Sequence, residues 1–499
     1  MGTEDQVTVT EHGAAQKVPG SKLILRIGNK RALIDIGSSY VAAEDKQALP
    51  FDASLIDYLA LTHGHGDHMG QSLLLAKSGF KGPVFATPCT ADLVYIQNNQ
   101  TVKSVFSYNN MVKGKKIPGT DRWIPFKKSE YSNDDVLNFM KLFQSQDESH
   151  RGIPYETPVK LADGIEFTFF EAGHIPGAAQ ILFNINHKGQ KTKLLTTYDL
   201  GRTDYKLANH PVADIPIAEY PHTDFPKDID YVVIEATYGD REHKPLEDSI
   251  RTLEQAIKDT AKNQSVLVAP AFSIMRTQVL MNFIYNLNEH GRLPKDFKII
   301  VSSPSAVDVI KMMIDHQDCL DETARKILAN KDSNMFHFDK LVYHRTFAQT
   351  RDLLANPSKY APCAIIASSG MGDYGRVAGV LEKTISEPKN IILKTGYASP
   401  GTRMDLIERR EKTIPFTDGP VEMKADVRRM GGLSGHADCK ETIAHLRNIR
   451  DPAKGEQFKG IYIKHGEKDA CEALRKKLIE AGYKASTVQV MKKGISYVL

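Results

Sequence analysis

Four metal-ligand side chains fall within six residues of this chain, His63, His65, Asp67 and His68 in LTHGHGDHMG, directly behind the apolar run IDYLAL. IDYLALTH reads as a strand whose carboxyl end delivers the cluster. MGQSLLLAKSG, with helical spacing and a closing glycine, reads as the helix that follows. Zinc takes imidazole nitrogens and carboxylate oxygens at about 2 Å, and a catalytic site leaves one position for water. On a loop leaving a strand, residues two apart, His63 and His65, can face one metal. Asp67 and His68 are adjacent, point elsewhere and can serve a second. Surface histidines in a turn are the bland alternative, and the crowding of ligand types around the Gly64 and Gly66 spacers argues against it. The expectation is a dinuclear metal hydrolase.

The rest of the chain carries that site on an α/β frame. SKLILRIGNKRALIDIG reads as two strands joined at Gly28-Asn29-Lys30, and PVFATP as a further strand. Residues 98 to 130 are polar and poorly periodic and read as a long excursion with room for a helix of its own; their small basic run, Lys113, Lys115 and Lys116, reads as a solvated loop. VLNFMKLFQ is an amphipathic helix, and IEFTFFEAGH, QILFNINHKG and TKLLTTYD restore strand texture. After residue 230, strands and helices alternate: DYVVIEATYG, EDSIRTLEQAIKDTAKN, SVLVAPAF, RTQVLMNFIYNLNEH, FKIIVSSP, then CAIIASSG and NIILKTGYASPG. That alternation marks a mostly parallel sheet with crossover helices. The chain closes on GIYIKHGE and the helix DACEALRKKLIEAG. With 499 residues it is long enough for two or three domains, and its composition is that of a soluble globular protein. A net charge of +4 permits a polyanionic partner without demanding one. Five scattered cysteines with no CxxC pair read as free thiols in a reducing compartment, and no stretch reaches a membrane span. The expected location is the cytoplasm.

HGHGDH resembles the HxHxDH element of the metallo-β-lactamase fold, and the remaining elements follow in order. Asp35 in LIDIG matches the first-motif aspartate, which in that family orients the histidine loop by hydrogen bonding and is not a ligand. His174 in EAGHIPGAA resembles the third motif, and Asp199 in TTYDLGR the fourth, where an aspartate bridges two metals. The second half resembles the β-CASP nucleases. IEATYGDREH is similar to their ESTYG-type motif, with Glu235 as its acidic residue. GLSGHAD is similar to the second motif, with His436, and YIKHGE to the third, with His465 as a zinc ligand. APAFSIMRTQ, VSSPSA, ASSGMGDYGR and TGYASPGTR also resemble β-CASP segments. The resemblance runs from about Ser21 to the C-terminus. It implies a metallo-β-lactamase αββα sandwich with an inserted β-CASP α/β domain, divided as residues 20–208, 209–425 and 426–499. Ala178, Ala236 and Tyr198 depart from residues usual in the family, and none of them removes a ligand. The stretch from 68 to 174 looks longer than in close relatives, which places an insertion near residues 100 to 125.

The resemblance implies two zinc ions per chain, one held by His63, His65 and His174, the other by Asp67, His68 and His465, with Asp199 bridging. It further implies a zinc-dependent ribonuclease that hydrolyses RNA phosphodiester bonds with a metal-bridging hydroxide. His436 is the candidate proton donor, with Glu235 holding its ring. The β-CASP part would lie over the metal site as a lid, with nucleic acid in the cleft between. Backbone amides at Ser369, Gly370 and Met371, with Arg276 and Arg403, are candidate phosphate contacts. Histidine in the third motif favours the RNA-directed branch, which makes single-stranded RNA the expected partner and DNA the alternative substrate. A catalytically silent RNA-binding scaffold is the other alternative. A small-molecule hydrolase would explain HxHxDH but not residues 230 to 440. Oligomeric state, endonuclease or exonuclease mode and sequence preference are left open.

Overall fold

The computed structural model describes residues 6–39, 48–112, 130–146, 151–203 and 221–499. Strand texture begins earlier than Ser21. Val7 and Val9 alternate with threonines, and Val7–Glu11 forms β1, antiparallel to β2 (Leu23–Ile27) and to the last strand, β21 (Ser496–Val498). β2 turns through Gly28-Asn29 into β3 (Lys30–Ile34), with Gly28 at φ 60° as a tight hairpin requires. Two short parallel strands, β4 (Tyr58–Ala60) and β5 (Val84–Phe85), complete a sheet ordered β21-β1-β2-β3-β4-β5.

A second sheet stacks on it. β6 (Pro158–Ala162), β7 (Ile165–Glu171), β8 (Ala179–His187) and β9 (Gln190–Tyr198) form an antiparallel meander. β10 (Tyr231–Glu235), β19 (Gly460–Lys464) and β20 (Val488–Val490) then add in parallel. Val9, Leu25 and Ile34 from the first sheet meet Phe167, Phe183 and Leu194 from the second in one buried layer. Helices cover the outer faces. α1 (Gly66–Met69), α2 (Ser72–Lys77), α3 (Pro88–Val112) and α4 (Asn133–Met140) flank the first sheet through Met69, Leu73, Ala91 and Phe139. α12 (Cys439–Ile449) and α13 (Lys468–Glu480) flank the second through Leu446, Leu474 and Leu478. This is the expected αββα sandwich.

The third sheet is wholly parallel, in the order β13-β12-β14-β11-β15-β18. Its strands are β11 (Val266–Pro270), β12 (Lys298–Val301), β13 (Leu341–Tyr343), β14 (Cys363–Ala367), β15 (Ile391–Lys394) and β18 (Asp426–Arg429). β11 and β14 are buried along their whole length, as parallel strands covered on both faces must be. The accompanying helices are α5 (Leu246–Lys262), α6 (Arg276–Glu289), α7 (Pro304–Asp315), α8 (Glu322–Ala329), α9 (Phe347–Ala355), α10 (Arg376–Thr384) and α11 (Arg403–Glu408); β16 (Thr413–Phe416) and β17 (Gly419–Glu422) form a small hairpin.

Three expectations change. PVFATP yields only a two-residue strand, because helix α3 starts at Pro88, where proline's missing N–H costs nothing. The polar stretch after residue 98 continues that helix to Val112; the lysines at 113, 115 and 116 lie outside the described residues, as does the boundary expected at 208/209. The free-thiol reading fails for two of five cysteines. Cys89 and Cys319, 230 residues apart, form a disulfide, while Cys363, Cys439 and Cys471 are free and buried. A separation that long carries no signal in linear spacing; folding brings the first turn of α3 against the segment after α7.

That contact does more than join two bodies. Beside the disulfide, His316 Nε2 lies 2.9 Å from Asp92 of α3. The opposite side of the same helix turn backs the sandwich loops. Thr87 and Thr90 hydroxyls both donate to the Gly177 carbonyl, at 2.6 and 2.7 Å. Gly177 has φ 84°, and a Cβ there would stand 2.5 Å from the Cys89 Cβ.

Candidate metal centre

The candidate ligands gather where strands of the two stacked sheets end. β3 ends beside Asp35, β4 precedes the His63–His68 loop, β7 leads to His174, β9 ends at Tyr198 before Asp199, β10 ends at Glu235 and β19 is followed by His465. Asp35 is fully buried with φ 62°. Its Oδ1 accepts from the Thr62 N–H at 2.8 Å, and its Oδ2 lies 2.6 Å from His68 Nδ1. Asp35 therefore orients the histidine loop while its carboxylate faces away from the ligand cluster.

Two groups of ligand atoms form. His63 Nε2 and His174 Nε2 lie 3.2 and 3.1 Å from His65 Nδ1, and Asp199 Oδ2 is 3.4 and 3.6 Å from the first two. In the second group, His68 Nε2 lies 3.0 Å from His465 Nε2 and 3.2 Å from Asp199 Oδ1, with Asp67 Oδ2 3.8 Å from His465 Nε2. Asp199 thus turns one oxygen to each group, and its Oδ1 is buried without a hydrogen-bond donor. Zinc–nitrogen bonds of about 2.0–2.1 Å at tetrahedral angles set nitrogens about 3.3 Å apart. The imidazole spacings of 3.0–3.2 Å match that value. The donor set fits metal.

The electrostatics agree. Burial first, and then neighbouring imidazoles, lower His63 and His174 well below the ordinary histidine value, and burial lowers His65 to about 4. These three are neutral, as ligands must be. Burial would raise Asp67 and Asp199, but the surrounding histidines prevail and hold both ionised. For His68 burial is likewise outweighed, by Asp199 and Asp35, and its value is raised.

His436 stands beside this cluster, its ring 4.4 Å from that of His174 and its Nε2 3.9 Å from Asp199 Oδ2. Its Nδ1 donates to Glu235 at 2.9 Å, and Glu235 Oε1 also accepts from the Leu200 N–H at 2.8 Å. Burial opposes the charged ring, but Glu235 and Asp199 raise it to about 9. Gly435 makes the approach possible: a Cβ there would sit 3.1 Å from His174 Nδ1.

Among the candidate phosphate contacts, Arg276 Nη1 donates to the Leu433 carbonyl, and Arg403 Nη1 donates to the carbonyls of Gly372 and Asp373 at 2.8 and 2.6 Å. Both guanidinium groups build loops. Ser369, Gly370 and Met371 follow β14, and the Met371 sulfur accepts from the Ser399 N–H at 3.4 Å.

Several positioning groups escaped the sequence reading. Thr62 bridges Asp35 and His63, and Thr237 Oγ1 lies 3.2 Å from His465 Nδ1. His243 Nε2 donates to the His436 carbonyl at 2.8 Å. Thr237 and His243 both stand in ATYGDREH, so proximity to Glu235 was a signal. Glu11 and Lys464 form a buried ion pair at 2.6 Å beneath His465, and Glu11 had no motif around it. Asp438 and Glu441 also approach His243, but they form the capping box of α12.

Comparison with known proteins finds three family profiles along the chain. The metallo-beta-lactamase superfamily matches residues 18–84, the Beta-Casp domain residues 277–406, and the Zn-dependent metallo-hydrolase RNA specificity domain residues 420–488. Ribonuclease TTHA0252 of Thermus thermophilus is 27% identical over 483 residues, covering 96% of this chain and 97% of that protein. Transcription termination factor FttA of Methanosarcina mazei is 27% identical over 488 residues, covering 95% and 69%. Endoribonuclease YSH1 of Kluyveromyces lactis is 26% identical over 497 residues, covering 95% of this chain but 57% of its own length.

Proposed function

From the premise that this chain belongs to the β-CASP group of metallo-β-lactamase-fold hydrolases, we propose that it is a zinc-dependent ribonuclease acting on single-stranded RNA, with two zinc ions per chain. The observation that carries the reading is Asp199, one oxygen turned to each of two histidine groups, with the Glu235–His436 pair beside it.

In this reading His63, His65, His174 and Asp199 hold one ion, and Asp67, His68, His465 and Asp199 the other. A bound pair supplies charge neutralisation to a phosphodiester and acidifies water enough for attack near neutral pH. The chain's own residues do the rest. Asp35 and Thr62 fix the ring planes of His68 and His63. Glu235 accepts from His436 Nδ1, which sets the ring so that Nε2–H faces the cluster and can deliver a proton to the departing oxygen. His63, His65 and His174 are neutral and Asp67 and Asp199 ionised, so these groups need no proton loss before metal binds, whereas His68, whose value is raised, gives up its proton as the second ion binds.

The three-part division follows, with β1 adding residues 7–11 to the first part. No helix among the described residues is long and apolar enough to cross a membrane. A cytoplasmic site of action belongs to this proposal and rests on RNA as substrate, since the cysteine argument for it no longer holds.

The test is incubation of zinc-loaded protein with 5′-labelled single-stranded RNA and matched DNA. Cleavage of RNA in preference is expected, abolished by Asp67→Ala or His68→Ala together with a fall in bound zinc. Preferred cleavage of DNA would move the chain to the alternative substrate. Intact RNA and DNA with both zinc sites filled would leave only a silent scaffold.

A further inference from the structure

Beyond the metal cluster, an aromatic group stands at the carboxyl edge of the third sheet. Strands β14, β11 and β15 lie side by side there. From β11 the chain leaves toward β12 on one side, and from β14 it crosses β11 to reach β15 on the other. Connections that diverge in this way open a crevice at the carboxyl ends of the strands, where parallel sheets bind ligands. The loops entering the crevice carry Phe272 after β11, Tyr374 after β14 and Tyr397 after β15.

Phe272 lies against two glycines. A Cβ on Gly370 would be 2.8 Å from its ring, and one on Gly396 3.8 Å, so both walls are bare backbone. Tyr374 is 64% exposed, more than any other large hydrophobic side chain among the described residues, and Tyr397 is 54% exposed. Leaving such rings open to water forgoes the burial free energy that an aromatic side chain offers.

The groove is continuous with the candidate centre. Arg276 Nε is 3.6 Å from the Cβ position of Gly396, and Arg276 Nη1 donates to Leu433, three residues before His436. On the sandwich side, the Tyr238 ring is 6.3 Å from that of His436. Arg241, ion-paired with Asp240 at 2.8 Å, lies over the Tyr238 ring at 4.7 Å.

We propose that Phe272, Tyr374 and Tyr397 form a base-stacking groove that holds unpaired nucleotides of the RNA strand beside the scissile phosphate. The inference rests on the ribonuclease reading and gives it a physical basis for strand preference. Every nucleobase has a face to stack, so the groove is tolerant of sequence. Paired bases turn their faces to one another, so a duplex cannot use it.

The test measures equilibrium binding of zinc-loaded protein to a non-cleavable single-stranded RNA with phosphorothioate linkages, intact or abasic at one position at a time. Loss of one stacked base corresponds to at least about a 5-fold weakening. Wild type is expected to lose at least that much at one or more abasic positions. Tyr397→Ala or Tyr374→Ala should weaken binding of intact RNA to the same degree and no longer respond to the abasic position its ring contacts. Tyr397→Phe should restore the response, which a merely unfolded variant would not. Alanine variants that bind as wild type does, or losses that simply add, would overturn the groove while leaving the ribonuclease reading intact. Absence of RNA binding by wild type would overturn both.

Discussion

Replacing Lys464 by methionine tests how the first sheet is tied to the candidate centre. Glu11 is fully buried and the Lys464 side chain is 2% exposed, with 2.6 Å between carboxylate and ammonium. Lys464 Nζ also donates to Ser21 Oγ at 2.7 Å and lies 4.3 Å over the Tyr198 ring. The other Glu11 oxygen accepts from the N–H groups of Gly13, Ala14 and Lys22. Lys464→Met keeps the packing stem and removes the charge, which leaves a buried carboxylate held by three amides alone. Breaking one side of such a pair costs about 3–5 kcal/mol. Glu11→Gln in the same protein removes the stranded charge and keeps an acceptor for the amides, so the double variant should regain most of the loss. The pH dependence separates this from a packing defect. In the wild type burial would raise the Glu11 carboxyl, but Lys464 and the amides hold it below its ordinary 4.5. A depressed folded value contributes stability above about 4.5 that is lost as the pH falls through the folded value. Without Lys464 burial prevails and the carboxyl rises, so the gap between variant and wild type should narrow as the solution is acidified from pH 7 towards about 5. Urea denaturation followed by far-ultraviolet circular dichroism, read at the first cooperative transition, gives the numbers. A single variant within about 1 kcal/mol of wild type at pH 7, or a double variant no better than the single, would refute the reasoning.

Three further outcomes are expected. His436→Ala should depress turnover by about 100-fold or more while zinc content by atomic emission stays near the wild-type level; loss of metal would make His436 a ligand. His445, buried with Nε2 2.9 Å from Gln180 Oε1, is lowered by burial to about 4 against an ordinary 6.5. The unfolded chain therefore takes up its proton first on acidification, and about 3 kcal/mol of stability should be lost between pH 6.5 and 4, a slope that His445→Gln should reduce in denaturation curves taken across that range. The Cys89–Cys319 bond closes a loop spanning 230 positions, so its reduction, or Cys89→Ser, should lower stability by up to about 5 kcal/mol, visible as a melting temperature that falls when reductant is added.

The centre was legible because its ligands cluster locally, as at His63–His68, or stand at strand ends in recognisable company, as at His174, Asp199 and His465. The groups that hold those ligands were less so. Thr62 and Thr237 are ordinary residues until a fold turns their hydroxyls toward a ring. Glu11 meets Lys464 only because β1 and β19 end near one another. The Cys89–Cys319 pair was misread for the same reason: contacts made by chain segments hundreds of residues apart leave no periodicity or spacing to read. The extent of α3 was not legible, since its polar residues after Asn98 show no amphipathic period that would join them to the apolar turn before it. Arg276 and Arg403 had the charge expected of phosphate contacts, and nothing in the sequence shows that backbone carbonyls engage them.

The first turn of α3 grips both halves of the molecule at one spot. The covalent bond, the His316–Asp92 ion pair and the packing of α3 on α7 together anchor the third-sheet body to the sandwich at that spot. Gly177, three residues beyond His174, lies against that point, and Gly64, between His63 and His65, packs directly on Leu93 of the same helix. The histidine loops of the first ligand group thus share one mooring with the third-sheet body, so a change that loosens α3 should be felt at His63, His65 and His174 as well as at the seam.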